Sequence, residues 1–250
     1  MSKYNVKLIQ KEGVFLLANR LKILLAERDL TIKDLMAATG LSRNSLSNMI
    51  NNPFANIATD NVDKLCNYLE VSPKDFYDYS GWRFNYELLI DGSSSKEKAE
   101  NEPLELRLKV SMISGKMRRV FELSYVLKYD MDYGDGGEHD AFVEAYQMDG
   151  ADKLFIDVYK KISPLFKHQI ESELLQPVPV ILELANSCGE FDNQKEAMNV
   201  QFVYTDFGNN VVFQNDFIYD RSSAEHQKQT DKLMEGFRKY MNSKNDSKKK

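Results

Sequence analysis

The stretch TIKDLMAATGLSRNSLSNMINN, Thr31 to Asn52, decides the fold of the first part of this chain. It predicts two short helices joined by a tight turn. Thr31 is placed to be an N-cap, its hydroxyl accepting from the unpaired amides of the first turn, with Asp34 near the positive helix end. Leu35 and Met36 are expected to face inward. Gly40 fits the residue just past the helix, where a left-handed backbone costs glycine nothing. Leu41 is expected to plug the corner and Ser42 to cap the second helix, whose apolar side is Leu46, Met49 and Ile50. Arg43, Asn44, Ser47 and Asn48 then fall on the opposite face. That surface is short-chained and rich in amides. It suits a DNA major groove, since Arg forks onto guanine and Asn pairs with adenine N6 and N7. Any small helical hairpin could carry the same residues for solubility, so the flanks have to decide.

Upstream, Leu17, Leu21, Leu24 and Leu25 form an apolar stripe that predicts a helix from about Val14 to Arg28. Residues 1–13 repeat a lysine every four positions (Lys3, Lys7, Lys11), which fits an arm that wraps DNA or a plain lead-in or short helix. Downstream, Asn51–Ala58 (NNPFANIA) reads as a loop, and Thr59 as the cap of a helix from Asp60 to Glu70. Cys66 shares its core spacing with Val62, Leu65 and Leu69, so it reads as a small buried hydrophobe. Pro73 opens a last short helix, Pro73–Tyr79, where its missing amide is no loss.

Residues 15–79 together resemble the Cro/repressor-type (XRE-like) helix-turn-helix domain, the five-helix family of the lambda repressor and its plasmid and Gram-positive relatives. The resemblance is carried by Leu35, Gly40, Leu41, Ser42, Leu46, Ser47 and Ile50, by the helix Asp60–Glu70 and by the ending VSPKDFY. It implies that Arg43 and Asn44, with Asn48 one turn on, touch base edges. It also implies that the loop after the second helix lies against the DNA backbone, making Asn51, Asn52 and Asn56 phosphate donors. Thr31, Lys33, Ser42 and Ser47 complete the DNA-binding set expected on this basis. The chain departs from the family pattern at Ile32, where a glutamine is common, and at Met36, where a small residue normally lets the helices approach.

The whole chain has 250 residues, 42% hydrophobic and 28% charged, which suits a globular protein of about two domains. Its net charge is −5, unevenly spread: residues 1–80 carry ten Lys and Arg against nine Asp and Glu, the rest 23 against 29. The acidic part is thus expected to face away from phosphates. Cys66 and Cys188 are far apart, and histidines at 139, 168 and 226 make no metal spacing. Neither a signal-peptide pattern nor a membrane-length apolar run is present, so a cytoplasmic protein is expected.

Gly81–Ile90 (GWRFNYELLI) either docks on the first domain or opens the second. The domain boundary is expected in Asp91–Pro103 (DGSSSKEKAENEP), whose serines and alternating charges read as a flexible linker. This divides the chain into a helix-turn-helix domain over 1–90, a linker over 91–103, an association or regulatory domain over 104–242 and a disordered basic tail over 243–250. Beyond the linker the period changes to two. Leu104–Ser114 and Met117–Met131 predict strands around a turn at Ser114-Gly115-Lys116. Tyr133–His139 reads as a glycine-rich loop, and Ala141–Met148 as a strand or helix edge. Lys153–Leu175 predicts a long amphipathic helix broken near Pro164. Pro177–Asn186, Val200–Asp206 and Val211–Tyr219 predict three more strands, and Ser222–Asn242 a closing helix. The fold class expected is α plus α+β, a helical helix-turn-helix domain followed by an antiparallel sheet with helices.

No catalytic constellation emerges. A repressor-type self-cleaving peptidase would need a Ser–Lys dyad and a scissile bond before the serine. Here Cys188-Gly189 follows Ser111 by more than seventy residues, and Lys153 heads a predicted helix. Glu138-His139-Asp140 lies on a stretch where adjacent side chains point to opposite faces, and DYGDGG lacks the following Lys-Ser/Thr of a phosphate loop. The expectation is a non-enzyme with neither metal nor cofactor. It would be a dimeric, sequence-specific repressor of the phage or mobile-element type, whose partners are an operator duplex and a second copy, with a protein antirepressor or other protein partner also open to it. An antitoxin or adaptor whose second domain binds another protein is the alternative. A third is small-molecule sensing by Tyr125, Tyr129, Phe202, Tyr204 and Phe213, residues that serve equally as core.

Overall fold

A computed structural model describes residues 16–89, 105–129, 139–187, 196–220 and 222. The helical unit begins with a short strand, β1 (Leu17–Asn19), before helix α1 (Leu21–Glu27). Helices α2 (Ile32–Thr39), α3 (Arg43–Asn51) and α4 (Thr59–Leu69) follow. One turn of helix, α5 (Pro73–Phe76), then runs directly into strand β2 (Tyr77–Tyr79). β1 and β2 pair antiparallel, Leu17 opposite Tyr79, and close the two ends of the unit on each other. Leu21, Leu24, Leu35, Leu46, Met49, Leu65, Leu69 and Phe76 form its core.

Four expectations fail in this unit. The first helix does not run from Val14: Leu17–Asn19 is strand, and Leu17 is half exposed rather than part of the apolar stripe. The last helix stops at Phe76 because Tyr77–Tyr79 is drawn into pairing with β1. Thr59 is the first residue of α4 rather than its cap, and the preceding Ala58 supplies no side-chain hydrogen bond. Met36 does not face inward but is 36% exposed, so it does not stand between α2 and α3.

The second unit is a six-stranded sheet in the order β3 (Arg83–Leu89), β4 (Glu105–Ser114), β5 (Met117–Tyr129), β6 (Ala141–Tyr146), β7 (Ala197–Thr205) and β8 (Val211–Asp220). Of the two roles open to Gly81–Ile90, the structure takes the second. Arg83–Leu89 pairs along β4 and buries Phe84, Tyr86 and Leu88, so the range 1–90 expected for the helical unit ends in a strand of the sheet. The sheet is not wholly antiparallel, because β6 and β7 run parallel. Helices α6 (Lys153–Lys161), α7 (Pro164–Leu175) and α8 (Pro177–Ser187) occupy the crossover that a parallel pair requires. The break expected near Pro164 is there, between α6 and α7, with Pro164 in the first turn.

Pro177–Asn186 is helix, not strand. Val178, Val180, Ile181, Leu182 and Ala185 are all buried, and a short run apolar on most sides has no period to separate the two states. Pro177 and Pro179 open the helix, where missing amides are tolerated, whereas in a strand they would break the ladder.

The three helices cover one face of the sheet. Phe155 on α6 meets the rings of Phe84, Phe121 and Tyr204, and the Tyr125 hydroxyl donates to the Leu174 carbonyl at 2.8 Å. Of the aromatics considered for ligand sensing, Tyr125, Phe202 and Tyr204 are fully buried in this core, and Phe213 packs partly buried against it. The opposite face is charged, with Lys109 paired to Glu87, Arg107 to Glu122 and Lys128 to Glu144 across neighbouring strands. Among the described residues no helix is long and apolar enough to cross a membrane. The expected arm (1–13), linker (91–103), closing helix (222–242, apart from Ser222) and tail (243–250) lie outside the described residues, as does most of the glycine-rich loop.

Candidate nucleic-acid interface

The geometry of α2 and α3 follows from local chemistry. Thr31 and Asp34 form a reciprocal capping box: the Asp34 amide donates to the Thr31 hydroxyl oxygen at 3.4 Å, and the Thr31 amide to the Asp34 carboxylate at 2.8 Å. The Thr31 hydroxyl also donates to that carboxylate at 2.7 Å, and these bonds hold the Asp34 carboxyl below its ordinary value. Gly40 ends α2 at φ +71°, its amide donating to the Met36 carbonyl. Open space surrounds the position where a Cβ would sit, so the left-handed backbone, and not crowding, is what calls for glycine. Ser42 then caps α3 by accepting from the Ser45 amide at 3.2 Å.

Leu46 and Met49 turn α3 into the core, with Ile50 partly buried beside them. The residues marked out in the sequence separate into groups. Arg43, Asn44 and Asn48 are exposed together on the outer face of α3. Ser47 is half buried, and its hydroxyl accepts from the Asn51 side-chain amide at 3.2 Å. Lys33 is exposed on α2, and Asn56 on the loop after α3. The Asn52 carboxamide oxygen is engaged locally, accepting from the Phe54 amide at 3.1 Å. Thr31 and Ser42 are engaged as caps.

Sequence reasoning missed Asn19, which is 3% exposed. Its side-chain amide reaches the carbonyls of Pro53 (2.9 Å), Met49 (3.2 Å) and Asn52 (3.4 Å), while its carboxamide oxygen accepts from the Leu21 amide at 3.1 Å. Its backbone amide donates to Pro53 as well, at 2.7 Å. One side chain thus fixes the C-terminal end of α3 to the start of α1. The available signal was an asparagine just ahead of an apolar helical run, a position such residues favour. Phe54 is the second residue missed. It carries the loop leaving α3 onto the sheet unit, where its ring lies 5.7 Å from that of Phe166 on α7.

Residues 20–81 match the family model of the Cro/C1-type HTH DNA-binding domain. The matched segment runs from the start of α1 to just past β2 and contains every residue of the α2–α3 pair. The Cro/C1-type domain supports a DNA-binding transcription regulator. No curated protein and no solved structure matches the chain.

Among the described residues the other candidates from the sequence do not assemble, and Cys188-Gly189 lies outside them. Ser111 is buried in β4 and Lys153 exposed at the start of α6, with no hydrogen bond between them. His139 approaches Asp216 at 3.4 Å, while the Asp140 carboxylate accepts from the Asn199 amide; Glu138 lies outside the described residues. No group of three potential metal ligands occurs among the described residues.

Proposed function

We propose that this chain is a dimeric, sequence-specific repressor of the kind found in phage and mobile elements, with α3 lying in the major groove. The observation that carries the reading is the exposed trio Arg43, Asn44 and Asn48 on a helix capped at its start and clamped at its end, within a matched Cro/C1-type domain. Arg43 and Asn44 occupy the first turn, whose side chains lean toward the helix N-terminus and so toward the base edges. Ser47 and Asn51 support the same face. Lys33, Asn56 and the amides at the starts of α2 and α3, beside Thr31 and Ser42, serve as phosphate contacts, with the Asn52 NH₂ group directed to the same role.

Dimerisation belongs to this proposal because an operator read by one helix offers too few bases. Two copies place two recognition helices one DNA turn apart, about 34 Å, and join their affinities through effective concentration. The sheet unit is assigned that role. The test is light scattering on the purified chain, joined with sequencing of the DNA it retains from random fragments. A dimer retaining a palindrome is expected. A monomer that dimerises only with a second protein would overturn the assignment in favour of an antitoxin or adaptor.

A further inference from the structure

We propose that the hairpin joining β4 to β5 is a second DNA contact, holding backbone phosphates with Arg83, Lys116, Arg118 and Arg119. The proposal rests on the DNA-binding reading above and extends it to the sheet unit, which lies outside the matched Cro/C1-type segment.

The strand register assembles these cations. Ser114 pairs with Met117 across a two-residue turn, with Gly115 at φ +56° and Lys116 at its tip. Arg83 lies opposite Ile113, and Ile113 opposite Arg118. Arg83 and Arg118 therefore share a face, about 10 Å apart at roughly 4.8 Å per strand. Arg119, opposite Met112, points from the other face of the same ribbon. β6 pairs only with Ser124–Tyr129, so the Met117–Leu123 end of β5 projects beyond it.

All four cations are exposed, and no ion pair among the described residues engages them. The nearest carboxylates along these strands, Glu87 and Glu122, are already paired with Lys109 and Arg107. A sheet unit that is acidic by composition thus concentrates unpaired positive charge at one end. That end adjoins the helical unit. Arg83 follows closely on Ser80, whose amide donates to the Leu16 carbonyl at 2.8 Å beside β1. Trp82 and Phe54 both pack on the core of the sheet unit, which anchors the strand end beside the hairpin turn and the exit of the recognition helix on one body.

The chemistry favours phosphate over bases. Guanidinium groups fork onto phosphate oxygens, and duplex DNA presents one negative charge per roughly 1.7 Å of axis. The hairpin carries no Asn or Gln between Ser114 and Arg119 to read adenine, and Arg118 and Arg119 point from opposite faces of the ribbon rather than together into one groove. Its contribution should therefore be the same on every sequence.

This uniformity permits a test without the operator. The full chain and its K116Q/R118Q/R119Q variant are titrated by fluorescence anisotropy against a long random-sequence duplex over a series of salt concentrations. The substituted side chains are exposed, so circular dichroism should be unchanged; R118Q/R119Q, which leaves the turn intact, is the second variant. The log–log salt slope should become shallower by about 2.7 per subunit for the triple variant and about 1.8 per subunit for the double, at about 0.9 per phosphate, and by twice as much for a dimer with both hairpins on the duplex. A change of less than about one unit overturns the proposal, whatever happens to affinity, because lost counterion release is its signature. In that case wild-type binding with its slope intact leaves the DNA reading standing and directs the hairpin to an acidic protein. A wild-type chain with no salt-dependent binding would defeat the DNA reading itself.

Discussion

Replacing Asn19 tests whether the end of the recognition helix is held by one buried side chain. Asn19→Ala removes an amide with two hydrogens shared among three carbonyls, and an oxygen that accepts from the Leu21 amide. About three net hydrogen bonds are lost, at about 1 kcal/mol each, for a total near 3 kcal/mol. The Pro53 carbonyl keeps the Asn19 backbone amide as a partner, which limits the damage there. For a chain of this size, about 3 kcal/mol corresponds to a melting temperature lower by roughly 6–12 °C.

Asn19→Asp is the sharper substitution. It keeps the shape but points a carboxylate at three carbonyl oxygens, so above the ordinary carboxylate pKa it should destabilise more than alanine. Facing acceptors in a buried site, the introduced carboxyl has its folded pKa raised, so the folded state binds more protons than the unfolded one. Stability of this variant must then fall as pH rises from about 4 through the raised value, and recover on acidification. Urea unfolding followed by circular dichroism at pH 5 and pH 7.5 measures both effects. The reasoning fails if Asn19→Ala costs under about 0.5 kcal/mol, or if Asn19→Asp is no more sensitive to pH than the wild type.

Arg43→Ala should lose roughly ten- to a hundredfold in operator affinity per subunit, since a bidentate base contact is worth about 1–3 kcal/mol, while binding to scrambled DNA drops much less. Lys33→Ala should weaken both duplexes alike; equal losses for Arg43→Ala would reduce its role to electrostatics. Gly40→Ala should cost about 1–2 kcal/mol through its left-handed backbone, and Gly40→Asn less, as read from urea midpoints; equal costs would mean that side-chain crowding matters there after all. Hydrogen bonds from Thr31 hold the Asp34 carboxyl below its ordinary value. Its contribution is therefore present above the unfolded carboxylate pKa near 4 and is lost as pH falls through the depressed folded value. Asp34→Asn should flatten part of the wild-type decline in urea midpoint on acidification, and an identical decline in both proteins would remove the capping box as its cause.

The sequence by itself determined the α2–α3 pair, because each of its signals acts within about four residues. Thr31 with Asp34, Gly40 past the helix end and Ser42 ahead of the next helix need no distant partner to be recognised. The β4–Gly115–β5 hairpin was legible for the same reason, its alternation and turn being adjacent in the chain. Tertiary structure decided what no local period carries. Leu17–Asn19 is strand only because Tyr77–Tyr79 arrives beside it, and it overrides an apolar spacing that reads as helix. Pro177–Ser187 is helix because the sheet buries it on most sides, a state in which neither period shows. Asn19 and Phe54 act on the far end of α3 through the Pro53 carbonyl and the Phe166 ring, partners separated from them by 34 and 112 positions in the chain. Contacts closed over such distances leave no spacing rule in the sequence, and here they fix how the recognition helix is held.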